Sequence, residues 1–159
     1  MKTFRHFLSY YKPYVTVFVL DLICAFGISM IDVFFPLILN YCSNILFIQS
    51  ATCILENIKW ILFILLAIYI IRSLCRYYVS CQGHIMGVHM ERDMRKDLFE
   101  QYQKLSFTYY DKNNTGVMMS RMVSDLFDIS EFAHHGPENL FISLVKVIGS
   151  FIIMTSLNW

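Results

Sequence analysis

Five ionisable side chains interrupt apolar stretches of the sequence. One of them, Arg76, could snorkel to the headgroups, and the other four are the residues best placed to do chemistry inside a membrane. Asp21 and Asp32 lie eleven positions apart in one apolar run. Arg72 and Lys146 each lie in a separate run. A charge at membrane depth is costly, so it needs an opposite charge or a water-filled face. These residues therefore predict ion pairs within the membrane or a polar cavity between helices.

Three of these side chains fall at similar membrane depths. At about 1.5 Å per helical residue, Asp21 and Lys146 each lie ~12 Å from one edge of the bilayer, and Arg72 lies within ~9 Å of it. We therefore expect a polar cluster in which Asp21 meets Arg72 and Lys146. Asp32 is about three helical turns from Asp21, on nearly the same face, and is included in the cluster. The cluster either fixes helix packing, the commoner role, or contacts a substrate.

The composition places these charges in a bilayer. Of 159 residues, 57% are hydrophobic and 16% are charged, with a mean hydropathy of +0.51. A soluble domain has roughly 45–50% apolar and about 25% charged residues. The net charge of +1 does not indicate a nucleic-acid partner. The five cysteines lack the spacing of a disulfide framework or a metal site; a bridge between Cys42 and Cys53 stays open, with free thiols expected.

Three apolar runs are long enough to cross a bilayer, because a crossing helix needs ~20 apolar residues. The spans are predicted at residues 14–40, 58–81 and 138–159. Residues 1–13 combine basic and aromatic side chains at helical spacing, which predicts an interfacial elbow helix. A loop is expected between the first two spans, around residues 43–57.

The segment 82–137 is predicted to lie in the cytoplasm. Helical spacing continues past the second span, so one helix over about Asn57–Ser106 would measure ~75 Å against ~30 Å of hydrocarbon. Basic residues are absent from 41–57 but common in the amino-terminal flank and in this segment, which predicts a cytoplasmic amino terminus. Gly136-Pro137 is expected to break the chain before the last span. The expected fold is an all-α membrane protein with three transmembrane helices and long cytoplasmic helical extensions.

The histidines form weaker patterns, and no metal site, cofactor site or catalytic residue is predicted. His134 and His135 are adjacent, so on a helix their side chains point ~100° apart and cannot both bind one ion without a ligand from elsewhere. They are interpreted as boundary residues before the last span. His84 and His89 are expected to face different neighbours. The Gly83–Gly87 pair, spaced as G-x-x-x-G, could permit a close helix contact.

A more specific pattern lies between residues 90 and 132. Its positions are Arg95, Leu98, Phe99, Leu105, Ser106, Tyr109, Tyr110, Asp111, Thr115, Gly116, Ser120, Arg121 and Asp125. This pattern resembles the first intracellular segment of ABC exporters, whose half-transporters join six membrane helices to an ATP-binding domain. The resemblance implies that residues 14–159 are part of an ABC transmembrane domain and that about 115–125 is its coupling helix. The positions that mark this helix are Thr115, Gly116, Ser120, Arg121 and Asp125.

The resemblance also implies a function. The complete family member would export a drug, lipid or peptide across the plasma membrane as a dimer, using ATP and Mg²⁺ in an ATP-binding domain. The six glycines here form no G-x-x-x-x-G-K-[ST] phosphate loop, so these residues alone are not expected to be an enzyme. They are expected to be the first half of the transmembrane domain. The alternative is a small membrane interaction protein, or a degenerate paralogue, that docks on a transporter or an ATP-binding subunit.

Overall fold

The fold consists of helices joined by short turns. The computed structural model describes residues 2–46 and 51–157, with side chains for residues 3–44 and 57–156. In chain order the elements are α1 (Lys2–Ser9), a 3₁₀ turn (Lys12–Tyr14), α2 (Val15–Tyr41), a π turn (Cys42–Leu46), α3 (Ala51–Gln103), α4 (Phe107–Lys112), α5 (Thr115–Ser120), a second π turn (Arg121–Asp125) and α6 (Leu126–Leu157). No strand occurs in these ranges, and the predicted all-α class is confirmed.

Three helical stretches are long and apolar enough to cross a membrane. Within the described residues they run over 3–44, 57–103 and 115–156. Large apolar side chains such as Trp60, Phe63 and Phe151 are mostly exposed on them. Backbone polar groups are paired within each helix, which is what a lipid environment requires. The chain is therefore a multi-pass membrane protein.

Helix α3 is the longest element. Its 53 residues would extend ~80 Å, more than twice the thickness of the hydrocarbon core. It begins at Ala51, so the loop predicted around 43–57 is wrong in its extent. Helical structure also continues through the π turn that precedes the undescribed residues 47–50.

Helix α6 passes through Gly136-Pro137 without ending, so the predicted break before the last span is wrong. A proline inside a helix has no N–H for the carbonyl four residues earlier, which here belongs to Ala133. The Tyr11 hydroxyl donates a hydrogen bond to that carbonyl at 2.6 Å. Because a tertiary contact satisfies the acceptor that Pro137 leaves without its helical donor, the helix can continue.

Two compact units divide the chain. The first contains the residues up to Asp21 together with Cys81–Glu138, and the second contains Leu22–Ser80 together with the residues from Asn139 on. The core of the first unit is formed by Met86, Met90 and Ala133. Partly buried side chains from the amino-terminal region pack against it, namely Phe7, Tyr10, Tyr11, Tyr14, Val17 and Phe18.

Tyrosine hydroxyls attach the amino-terminal region to the first unit. The Tyr10 hydroxyl donates to Asp97 Oδ2 at 2.7 Å, and the Tyr14 hydroxyl donates to Asp93 Oδ2 at 2.8 Å. Partial burial and the bond to Asp97 raise the pKa of Tyr10 to about 12. Partial burial acts to raise the pKa of Asp93, but hydrogen bonds from Arg92 and Tyr14 outweigh it and lower that pKa. Both tyrosines therefore remain protonated donors to carboxylates.

Candidate functional site

In the second unit, charges from α2, α3 and α6 meet at one carboxylate. Arg72 donates to Asp32 Oδ1 from Nη2 at 2.8 Å and from Nε at 3.1 Å. Lys146 Nζ lies 2.7 Å from Asp32 Oδ2. Both carboxylate oxygens are therefore used, each in charge-assisted contacts, which are stronger than neutral hydrogen bonds. We call these three residues the Asp32 cluster.

Aromatic side chains align α2 and α3 beside this cluster. The Phe35 and Tyr69 rings meet edge to face with their centroids 5.9 Å apart, and the Arg72 guanidinium lies 5.8 Å from the Tyr69 ring centroid. Phe35 follows Asp32 by three residues and Tyr69 precedes Arg72 by three. Antiparallel helices have this register, so packing and charge pairing fix the same helix alignment.

Helix α6 approaches α2 closely near Lys146. A Cβ atom added at Gly149 would lie 3.1 Å from Val33 Cγ1, so a larger residue there would require the Val33 side chain to shift by a few tenths of an ångström. Gly149 is three residues after Lys146, and Val33 adjoins Asp32. The close contact between α6 and α2 therefore lies beside the Lys146–Asp32 ion pair.

Asp21 does not take part in the Asp32 cluster, which corrects the predicted membership. Its side chain is 1% exposed, and neither carboxylate oxygen has a hydrogen-bond partner in the described part of the chain. The charged groups that act on it are Glu138 and His135, both in the first unit. The prediction took the last span to begin at residue 138 and so placed Lys146 at the depth of Asp21. In the structure Lys146 contacts Asp32, which lies eleven residues after Asp21 in α2.

The segment 115–125 consists of α5 and the π turn after it. Asn114 caps α5, because its Oδ1 accepts a hydrogen bond from the Gly116 N–H at 2.8 Å. Met118 and Met122 are buried, and Arg95 Nε donates to the Met122 carbonyl at 3.2 Å. The segment is therefore anchored to α3 through one of its faces.

The opposite face of this segment is exposed. Val117, Met119 and Val123 are each at least half exposed. All five positions marked by the resemblance are exposed as well, namely Thr115, Gly116, Ser120, Arg121 and Asp125. Exposed apolar side chains beside charged ones are typical of a protein-docking surface.

A second polar group, the histidine cluster, lies in the first unit and consists of His84 of α3 with His134 and His135 of α6. One ring nitrogen from each lies within 4.8 Å of the other two. The His84 ring centroid is 5.0 Å from that of His134 and 5.1 Å from that of His135. The centroids of His134 and His135 are 4.3 Å apart. His84 thus supplies, from another helix, the third imidazole that adjacent histidines lack.

Glycine makes room for the central ring of this cluster. A Cβ atom at Gly83 would lie 1.9 Å from His134 Cε1, whereas one at Gly87 would come no closer than 3.7 Å to His134 Cβ or to the Ser130 carbonyl. The close helix contact anticipated for the G-x-x-x-G pair therefore occurs, with His134 lying against Gly83. Burial, with smaller contributions from His135 and His84, lowers the pKa of His134 to about 4.

Among the described side chains the cysteines add no site, and Cys42, Cys75 and Cys81 are free thiols. The side chain of Cys53 lies outside the described residues. The possible bridge between Cys42 and Cys53 gains no support from the free Cys42 thiol.

Comparison with known proteins gives a consistent result. Residues 18–159 match the family described as ABC transporter transmembrane region. The chain is similar to the uncharacterized ABC transporter ATP-binding protein YwjA of Bacillus subtilis strain 168, with 44% identity over 98% of this chain and 26% of the relative. It is also similar to the ATP-dependent lipid A-core flippase of Syntrophus aciditrophicus strain SB, with 26% identity over 81% of this chain and 21% of the relative.

A third relative is the putative multidrug export ATP-binding/permease protein YgaD of Bacillus subtilis strain 168, with 27% identity over 99% of this chain and 27% of the relative. The chain therefore spans about a quarter of the length of these relatives. The family match covers most of the chain and agrees with its three long apolar helices. The chain belongs to the ABC transporter transmembrane region family.

Proposed function

We propose that the chain is the membrane-spanning part of an ABC exporter that moves a drug, lipid or peptide across the plasma membrane. ATP and Mg²⁺ act in an ATP-binding domain outside these residues, on the same or a partner half-transporter, and the complete transporter is a dimer. The relatives named as a lipid A-core flippase and a multidrug export protein support export. In this proposal the amino terminus and residues 82–137 are cytoplasmic.

The observation that carries the proposal is the exposed surface of segment 115–125, anchored through its other face to the far end of α3. Met118 and Met122 are buried while Val117, Met119 and Val123 are exposed. A domain bound to the exposed face would move the segment. Helix α3, to which the buried face is anchored, would transmit that movement along its ~80 Å into the membrane. Segment 115–125 is thus proposed as the coupling helix.

The Asp32 cluster has a structural role in this proposal. Asp32 uses both oxygens on Arg72 and Lys146, which leaves little capacity for a substrate hydrogen bond. The proposed role of the cluster is to hold α2, α3 and α6 in register within the membrane. Substrate contact is assigned instead to the neighbouring apolar surface, where an open cavity of about 490 Å³ is lined by residues such as Met30, Phe34 and Ile68. Such a surface suits apolar substrates.

The experiment measures coupling in a complete transporter that contains this chain. Arg121→Ala and Asp125→Ala are expected to lower transport per ATP hydrolysed about tenfold while nucleotide affinity stays unchanged. Lys96→Ala is the matched control, because Lys96 is an exposed charged residue on α3, outside the segment. Unaltered coupling in both segment variants would remove the assignment of the coupling helix.

The alternative function, a membrane interaction protein that docks on a separate transporter or ATP-binding subunit, is favoured by the same exposed surface. The DNA beyond codon 159 separates the two functions. Three further spans followed by a G-x-x-x-x-G-K-[ST] sequence support the exporter. A stop codon without them, together with binding of the 159-residue chain to an ATP-binding subunit, supports the alternative.

A further inference from the structure

The histidine cluster has the composition of a transition-metal site. Three imidazoles from two helices converge, and imidazole suits zinc, copper and nickel ions. Two carboxylates adjoin them. Glu131 Oε1 lies 3.9 Å from His84 Nδ1, and its Oε2 lies 3.6 Å from His135 Nε2. Glu138 Oε2 lies 3.6 Å from His135 Nδ1. Metal-bound imidazoles are commonly oriented by carboxylates in this way.

An unsatisfied side chain independently points to a ligand. His134 is 2% exposed, and neither of its ring nitrogens has a hydrogen-bond partner in the described part of the chain. Leaving a buried polar group without a partner destabilises the fold. An ion bound to His134 would remove that destabilisation, because a neutral imidazole nitrogen donates its lone pair to the metal.

The geometry needs only side-chain adjustment. In a tetrahedral zinc site with Zn–N bonds of roughly 2.0–2.1 Å, ligand nitrogens lie ~3.4 Å apart, compared with up to 4.8 Å here. His84 and His135 are about half exposed, so their rings can turn toward His134. The buried His134 lies against Gly83 and provides a fixed ligand around which the others close.

We propose that His84, His134 and His135 bind one divalent transition-metal ion, best matched by Zn²⁺, with Glu131 and Glu138 orienting the outer imidazoles. The ion joins α3 to α6 within the first unit. Bound zinc stabilises this helix pair by mass action, since it binds the folded arrangement and not the separated helices. The proposal rests on the first unit's geometry and does not depend on transport.

The test is a titration of the purified 159-residue chain in detergent micelles with ZnCl₂, in competition with a chromogenic chelator. The wild type is expected to bind one ion per chain. His84→Gln and His135→Gln are each expected to weaken binding at least tenfold, because a ligand is lost in each. His6→Gln and His89→Gln are the matched controls, since they are the two histidines outside the cluster, and their affinities should equal that of the wild type.

A second measurement separates loss of a ligand from loss of folding. Helical content without metal should be the same in His84→Gln and the wild type, whereas only the wild type should gain thermal stability when zinc is added. Co²⁺ substitution should give an absorption spectrum without a thiolate charge-transfer band. Three results would overturn the proposal: equal affinity in wild type and both cluster variants, equal weakening in the controls, or a thiolate band, which would assign the ion to cysteines.

Discussion

The Asp32 cluster and the histidine cluster differ in how their polar groups are paired. In the second unit, every oxygen of Asp32 meets a cation, so the group is complete within the chain. In the first unit, His134 is more deeply buried and has no partner in the described residues. We interpret the fully paired Asp32 cluster as a contact that holds helices together. The histidine cluster, whose central ring has no partner among the described residues, is interpreted as a binding site.

Removing the central carboxylate should have the largest effect. Asp32→Ala leaves Arg72 and Lys146 without their counter-ion at membrane depth, where an unpaired charge costs about 2.5–3.5 kcal/mol. Unfolding of the chain in micelles, followed by circular dichroism with increasing denaturant, should show this loss. Asp128→Ala, which removes an exposed acid of α6, is the control. Equal stability of the two variants would mean that the Asp32 cluster does not stabilise the packing of α2, α3 and α6.

The next largest effect should come from Tyr11→Phe. This change leaves the Ala133 carbonyl without a donor, because Pro137 cannot provide one, and an unsatisfied buried acceptor costs about 1–3 kcal/mol. Pro137→Ala supplies the missing N–H and should cancel most of the loss in the double variant. A double-mutant cycle on unfolding free energies measures this coupling, with Tyr77→Phe, at an exposed tyrosine, as control. Purely additive effects would contradict the compensation.

The two glycines beside His134 provide a matched pair. Gly83→Ala places a methyl group against the His134 ring and should destabilise the chain by about 1–3 kcal/mol, the usual cost of overpacking. At Gly87 the nearest atoms are 3.7 Å away, so Gly87→Ala should be neutral or stabilising by up to about 1 kcal/mol through helix propensity. Thermal unfolding of both variants tests the difference. A greater loss of stability in Gly87→Ala than in Gly83→Ala would contradict the position of the His134 ring against Gly83.

The smallest effect should come from His134→Leu in metal-free buffer. An apolar residue removes the unsatisfied nitrogens while keeping most of the packing, so unfolding free energy should change by no more than about 1 kcal/mol. Comparison of this variant with Asp32→Ala tests whether the Asp32 cluster stabilises the fold while the histidine cluster does not. A loss as large as that of Asp32→Ala would show that His134 has partners after all.

Much of the fold follows from local sequence patterns, but the pairing of side chains does not. Apolar run length predicts the crossing helices because each run must match the bilayer alone. The continuity of α6 depends on Tyr11, which is 122 residues from Ala133, so no window around Pro137 could show it. Depth counting grouped Arg72 and Lys146 with Asp21 and Asp32, and Asp32 is the acid that pairs with both; the depth of Lys146 was counted from a helix start at residue 138 that does not exist. For the same reason, local sequence patterns could not show that His84 of α3 lies beside His134 and His135 of α6.

The most direct test of the coupling account is site-specific cross-linking in a complete transporter that contains this chain, with its native cysteines replaced. A cysteine at Ser120, exposed in segment 115–125, should cross-link to the ATP-binding domain in high yield. A cysteine at Lys96, exposed on α3, should not. Cross-linking from position 120 alone is the result that the account predicts. Equal yields from both positions, or no cross-link from 120 in any nucleotide state, would contradict it.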